Sequence, residues 1–241
     1  LDTVHVSTFE SRENGVLTQT QDWTSPYVPG PRFKDTPLYI LTSSNSASAA
    51  EGFSYSMQSL NRATIVGEVT AGAAHGRSTE IVNNDYILTL PSTRPVDPRT
   101  NDNWERKGVK PNIETNSDNA FYVAYAEVLN SLIKSNSKNL GLHQWVYPLV
   151  KAKSSQYQPS QSDFNQIVGT FGERKIFQKS GKLLYQYSND PAIEIELLDK
   201  KTIVFKAFTE ARLQAIYKNK QVIALKMLSL GEDERVFQRT M

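Results

Sequence analysis

A chain of 241 residues, 39% hydrophobic and 22% charged with a net charge of +2, has an ordinary globular composition and room for one large domain or two smaller ones. No run of 18 apolar residues occurs, so no membrane-spanning helix is expected, and the absence of cysteine excludes disulfides and a thiol nucleophile. Residues 1–150 carry 12 Lys+Arg against 15 Asp+Glu and residues 151–241 carry 15 against 10, but the lysines of the second part fall in turns (Lys179, Lys182, Lys200, Lys201, Lys218, Lys220), as on a solvated β surface rather than a nucleic-acid-binding face.

In the first 36 residues Val4, Val6 and Phe9 alternate like a strand. Trp23 and then Pro26, Pro29, Gly30 and Pro31 read as an extended loop. One strand and a long loop bury no core, so earlier chain, a partner or exchange between subunits is expected to cover an open sheet edge near residues 1–10. Leu38-Tyr39-Ile40-Leu41 is the short apolar run of a buried strand. A small-residue elbow, Thr42 to Ala50, leads into a helix over 48–60, whose Ala49, Phe53, Met57 and Leu60 share one face. Ala63, Ile65 and Val66 start a second strand that ends at Gly67. The result is a strand–helix–strand unit with a serine-rich joint at the helix N-terminus, where free N–H groups favour negative charge.

The turn Gly67 to Gly76 is built of small residues. Ile81-Val82 and Tyr86 to Leu90 suggest a hairpin about Asn83-Asn84-Asp85. Pro91, Pro95, Asp97 and Pro98 mark a loop that runs to Trp104-Glu105, and Gly108-Val109-Lys110-Pro111 closes the region. A helix fits 118–135, capped by Ser117 or Asp118. Residues 136–160 are polar apart from a short amphipathic patch (Leu142, Trp145, Val146, Leu149, Val150), and the domain boundary is placed between 150 and 151. Strands are then expected at 166–171, 174–178, 183–187, 192–198, 202–208, 211–217 and 221–229. Seven or eight antiparallel strands with short turns form a meander or small barrel. No cluster there spells out chemistry.

Ser48 is the residue to weigh. As a nucleophile at the helix start, its alkoxide and a later oxyanion would both be favoured by nearby amides, including the N–H of Ala49. Equally, Ser48-Ala49-Ala50-Glu51 fits the S-x-x-E capping box, in which Ser48 only starts the helix. Asn45 competes for that cap and would free the Ser48 hydroxyl. Ser43, Ser44 and Ser46 are rival nucleophiles. Glu105 reads on its own as a surface carboxylate, His75 as a structural histidine, and Trp23, Tyr27 and Trp104 as loop anchors. Glu51 and Glu68 read as partners of a cap or turn.

Two segments carry a family resemblance. Thr42-Ser43-Ser44-Asn45-Ser46-Ala47-Ser48-Ala49-Ala50-Glu51, followed by Arg62 to His75, resembles the S41 serine peptidases: the tail-specific, C-terminal-processing proteases and their tricorn-like and retinoid-binding-protein-like relatives. Asn103-Trp104-Glu105-Arg106-Lys107-Gly108-Val109-Lys110-Pro111-Asn112-Ile113 resembles the motif in which the tricorn-like group carries the glutamate of its Ser, His, Ser, Glu tetrad. The resemblance implies an α/β fold with a ClpP/crotonase-like strand–helix core, incomplete at the N-terminus, over residues 1–150. An accessory antiparallel β domain follows over 151–241.

The same resemblance implies serine-type peptide hydrolysis with Ser48 as nucleophile, Glu105 in the tetrad and the Ala49 N–H at the oxyanion. Gly72, His75 and Trp104 belong to the pocket or its turns, and no cofactor or metal is implied. The lysine base of the processing-protease group is replaced by Ala73. The tetrad histidine and second serine of the tricorn-like group are expected upstream of this chain. Arg106 stands where a glycine is more usual, and Gly76 where a proline is common. The implied partner is a peptide or unfolded protein in an extracytoplasmic compartment, with an oligomer or missing N-terminal chain completing the fold. The alternative is a non-catalytic ligand- or protein-binding module that keeps the peptidase fold.

Overall fold

The computed structural model describes residues 3–13 and 15–240. The chain divides into two compact units, 1–124 and 125–241. No helix among the described residues is long and apolar enough to cross a membrane.

The first unit holds two sheets. Strands β1 (His5–Glu13), β2 (Val16–Trp23), β5 (Gly76–Ile81) and β6 (Ile87–Val96) form an antiparallel sheet in the order β2-β1-β6-β5. β1 is thus interior: Thr8 to Ser11 pair with β6 on one side and with β2 on the other. The open edge expected near residues 1–10 is closed along this stretch by residues 16–23, a strand whose polar sequence reads as loop.

Strands β3 (Leu38–Thr42), β4 (Ala63–Gly67) and β7 (Ile113–Glu114) form a parallel sheet in the order β3-β4-β7. Helix α1 (Ala49–Ser59) makes the crossover from β3 to β4. Parallel neighbours need such a crossover, which is what the expected strand–helix–strand unit supplies. Val66 of β4 is fully buried against Ala120 and Ala124, at the start of α2 (Ser117–Lys134), with Tyr39 and Ile113 alongside.

Gly67 fixes how closely β3 and β4 end together. Its φ is +136°, and an added Cβ would lie 2.0 Å from the Thr42 carbonyl oxygen. Neither the conformation nor the space admits a side chain. Gly67→Ala is expected to destabilise the protein by about 3 kcal/mol, read as a lower urea midpoint.

The second unit contains helices α3 (Leu140–Ser154) and α4 (Gln161–Ile167) and eight further strands: β8 (Gly169–Phe171), β9 (Arg174–Lys179), β10 (Lys182–Tyr187), β11 (Ile193–Leu197), β12 (Thr202–Phe205), β13 (Ala211–Lys218), β14 (Gln221–Ser229) and β15 (Arg235–Thr240). These close into an antiparallel barrel, β10-β11-β12-β13-β14-β15-β8-β9. Alternate residues point inward, as the strand period requires: Leu183 and Tyr185, Ile195 and Leu197, Ile203 and Phe205, Leu213 and Ala215.

A bulge between Ile216 and Tyr217 pairs Ile216 with Ala224 but Tyr217 with Val222. Val222 and Leu225, three residues apart, therefore both join the core. Ile167 and Phe164 of α4 join the side chains of the strands in this core. On the outside of the barrel, Arg212 of β13 is buried over the Trp145 ring, 4.2 Å from the centroid, and donates to the Trp145 carbonyl at 2.7 Å, which fastens α3 to the wall.

Candidate active site

The elbow between β3 and α1 is tied down on both sides. Thr42 Oγ1 donates to the Glu68 carbonyl at 2.9 Å, and the Ala71 N–H donates to the Ser46 carbonyl at 2.9 Å. The Glu68 carboxylate accepts from the amides of Ser44 at 2.8 Å and Ser117 at 3.0 Å, and these bonds hold its carboxyl below the usual carboxylate range. Two of the rival serines are occupied within the elbow: Ser46 Oγ accepts from the Ser43 N–H at 3.1 Å, and Ser43 Oγ from the Asn45 N–H at 3.3 Å.

Ser48 differs from these two. It is exposed, stands at the N-cap of α1, and has φ +56° and ψ −120°. A non-glycine residue there carries a strain of roughly 1–3 kcal/mol. Strain of this kind, at a sharp strand-to-helix turn, lifts a side chain clear of the chain around it. Ser48 Oγ faces the Glu51 N–H as in a capping box but does not reach hydrogen-bond geometry. The reciprocal half is made, since Glu51 Oε2 accepts from the Ser48 N–H at 2.9 Å. The Ala49 N–H, first in the helix, makes no hydrogen bond among the described residues.

Glu51 is fully buried and satisfied by four donors: the amides of Ser48, Gly72 (2.6 Å) and Ala73 (2.9 Å), and the Thr70 hydroxyl. Thr70 Oγ1 in turn accepts from the Val109 N–H at 2.7 Å. Burial pushes the Glu51 carboxyl up, but the four hydrogen bonds outweigh it and leave the group below its ordinary value. Glu51 thus pins the start of α1 to the turn after β4, as a structural reading of this residue requires.

Glu105 binds the next part of that turn. Its Oε2 accepts from the amides of Ala74 at 2.8 Å and His75 at 3.0 Å, and its Oε1 lies 4.0 Å from His75 Nδ1. The two amides, helped by the Arg106 charge, hold its carboxyl below the usual range against the opposing effect of burial. Arg106 has φ +57°, a left-handed conformation that favours glycine, and its N–H donates to the Gly72 carbonyl at 2.8 Å. Gly72 is packed so closely on this segment that an added Cβ would come within 3.1 Å of the Arg106 backbone.

A cleft of about 450 Å³ opens beside α1. Ser48, Ala49, His75 and Trp104 all line it, with Phe53 and Met57 of α1. Trp104 is buried, its ring 5.5 Å from that of Tyr55, and its Nε1 has no hydrogen-bond partner among the described residues. Part of the lining is one that sequence reasoning did not supply: Val6, Ser7 and Phe9 of β1, with Asp97.

Of the six site residues read from sequence, four therefore meet in one cleft. Glu105 and Gly72 do not line it; they hold the turn that presents His75. Among the described residues no hydrogen-bonded chain connects Ser48 Oγ with Glu105. No group of three or more His, Cys, Asp or Glu side chains among them is placed to hold a metal ion.

Residues 3–115 match the family model for peptidase family S41. This part of the chain is similar to that family. The matched segment contains both sheets of the first unit, α1, Ser48 and Glu105, and the cleft lies wholly within it.

The structure is also similar to a photosystem II D1 C-terminal processing protease, with 16% identity, a TM-score of 0.39, and coverage of 49% of this chain and 29% of that one. It is similar to mature CPAF complexed with lactacystin, with 22% identity, a TM-score of 0.35, and coverage of 52% of this chain and 22% of that one. For mature CPAF alone the identity is 23%, the TM-score 0.31, and the coverage 48% of this chain and 21% of that one. The chain spans less than a third of the length of each.

Proposed function

We propose that this chain is the nucleophile-bearing part of a serine peptidase, with residues 1–150 belonging to the peptidase domain and 151–241 to an accessory β domain. The observation that carries the proposal is Ser48: an exposed, conformationally strained serine at the head of α1, its hydroxyl making no side-chain capping hydrogen bond, lining a cleft together with Ala49, His75 and Trp104.

In this reading Ser48 Oγ attacks the carbonyl carbon of a peptide bond and gives its proton to a histidine base. That histidine and its serine partner lie in a segment outside this chain. The Ala49 N–H is one donor to the tetrahedral oxyanion. The C–N bond breaks, the amine leaves with the proton, and water hydrolyses the acyl-enzyme. Substrates are peptides or unfolded proteins met outside the cytoplasm. A fluorophosphonate probe applied to the full-length protein tests this directly. Mass spectrometry is expected to place the adduct on Ser48, and labelling of another serine in its stead would sink the proposal.

Glu105 would polarise the base by charge while it holds the turn. The two roles separate on substitution. Glu105→Gln keeps an acceptor for the Ala74 and His75 amides and loses the charge, so its kcat is expected to fall by about 10²-fold with thermal stability nearly unchanged. Glu105→Ala loses both. A Gln variant as active as wild type would leave Glu105 with the turn alone.

The second reading, a binding module on the peptidase fold, draws on the engagement of Glu105 Oε2 by two backbone amides with no link to Ser48. It predicts peptide binding in full-length protein with neither turnover nor labelling.

A further inference from the structure

We infer that Arg99 is a positioning residue for the cleft, whose guanidinium fixes the β1 wall at its working distance from α1. Its kinetic consequences rest on the peptidase reading; its structural ones do not.

The ladder between β1 and β6 ends at the pair Thr8 and Val96. Beyond it, the first residues of β1 have no strand from β6 to hold them. The Arg99 side chain takes over there: Nη1 donates to the His5 carbonyl at 2.7 Å and Nη2 to the Val6 carbonyl at 3.1 Å. From its other side, Nε donates to Ser59 Oγ at 3.0 Å, at the C-terminal end of the helix that carries Ser48 at its head.

Asp97 completes the knot. It is 3% exposed, and its Oδ2 pairs with Arg99 Nη2 and accepts from Ser59 Oγ at 2.5 Å. Its Oδ1 accepts from the Arg99 N–H at 2.8 Å. One planar fork therefore joins β1, α1 and the loop after β6, and its charge is balanced by a buried carboxylate. Val6, Ser7 and Asp97 line the same cleft as Ser48. Arg99 itself is not among the lining residues; it acts through the wall it holds.

Lysine cannot replace this fork. An ammonium on a flexible stem keeps the pairing with Asp97 but cannot serve two carbonyls and a hydroxyl in three fixed directions. Loosening the wall weakens substrate holding and leaves the reacting groups on α1 in place.

The experiment compares full-length wild type with Arg99→Lys and Arg99→Ala, using fluorescein-labelled casein as substrate and amide hydrogen exchange over residues 5–9. The expected result for Arg99→Lys is a KM raised about tenfold, kcat within twofold, and exchange at 5–9 at least tenfold faster, with exchange in β4 unchanged. Arg99→Ala should show the same with larger size. If Arg99→Ala does not fold, Arg99→Lys decides alone. Unchanged exchange at 5–9 overturns the inference whether or not the protein cuts casein. So does lower thermal stability with KM unaltered, which would mark a merely structural clamp. A wild-type protein that does not turn over casein counts against the peptidase reading, and the exchange measurement still decides the role of Arg99.

Discussion

Replacing Ser48 with alanine in the full-length protein is expected to lower kcat for peptide hydrolysis by a thousandfold or more, the order of effect seen when a serine nucleophile is removed. KM should change little, because the methyl group leaves the cleft walls as they are. Thermal stability should also hold, because Ser48 Oγ makes no capping hydrogen bond and alanine inherits the same strained backbone. That last expectation separates the nucleophile from the cap. A serine that only capped α1 would cost about 1 kcal/mol on truncation, a fall of roughly 2–4 °C in Tm for a chain of this size, with kinetics intact. Ser48→Gly provides the complementary check. It relieves the φ of +56° and so should be as stable as wild type, or more so, and still inactive. Equal turnover by wild type and Ser48→Ala would end the peptidase reading.

The elements that the sequence disclosed are those with a local hydrophobic period. The run Leu38 to Leu41, the helical spacing through Phe53 and Met57, and the pair Ile65 and Val66 each form the expected element, but only Ile65 and Val66 are fully buried; Leu38 and Leu41 are exposed, and α1 buries Glu51, Ser54 and Ser56 while the exposed Phe53 lines the cleft with Met57. The hidden elements lack such a period. Strand β2, VLTQTQDW, is almost wholly exposed and carries no apolar alternation, and Asn14-Gly15 before it was the available hairpin signal. Strand β6 contains Pro91 and Pro95, which read as loop. Pro91 lies opposite Arg77 of β5 and Pro95 opposite Phe9 of β1, each outside the stretch paired with the other neighbour. The missing N–H is therefore tolerated on an open side.

In the second unit Pro148 disguised α3 as a broken patch. The first part of the expected strand 166–171 is the end of α4. Ser160 and Asp163 form a reciprocal capping box that starts this helix, and Ile167 buries its last turn. Strand β15, rich in charge, was not foreseen; it completes the ring between β14 and β8.

The site divides in the same way. Ser48, Glu51 and Glu105 lie in contiguous motifs whose residue types announce a turn or a cap. The β1 wall lies about 40 residues upstream of Ser48. Its place depends on a side chain, Arg99, some 90 residues further along, whose contacts no local spacing encodes.

Removing the Glu51 carboxylate is expected to have the largest effect on stability of any single change near the cleft. Glu51→Ala would leave the Ser48, Gly72 and Ala73 amides and the Thr70 hydroxyl without their acceptor in a place where water does not reach. At about 1–3 kcal/mol for each unmade bond, reduced by relaxation of the turn, the loss should be about 4 kcal/mol. Glu51→Gln keeps the shape but turns an NH₂ toward N–H groups, and should lose about 2–3 kcal/mol.

The pH dependence distinguishes the charge from the shape. Because the folded protein holds this carboxyl below its ordinary value, the unfolded chain takes up the proton first as pH falls. The stabilisation is full above the unfolded carboxylate value of about 4.3 and is lost as pH drops through it toward the lower folded value. Wild-type stability should therefore fall more steeply than that of Glu51→Gln between about pH 5 and pH 3, and the gap between their urea midpoints should narrow. Glu68, Asp102 and Glu105, whose carboxyls are also held low, act equally in both proteins and cancel in the comparison. A gap that stays constant down to pH 3 would mean that Glu51 acts by filling space and not by accepting four hydrogen bonds as an anion.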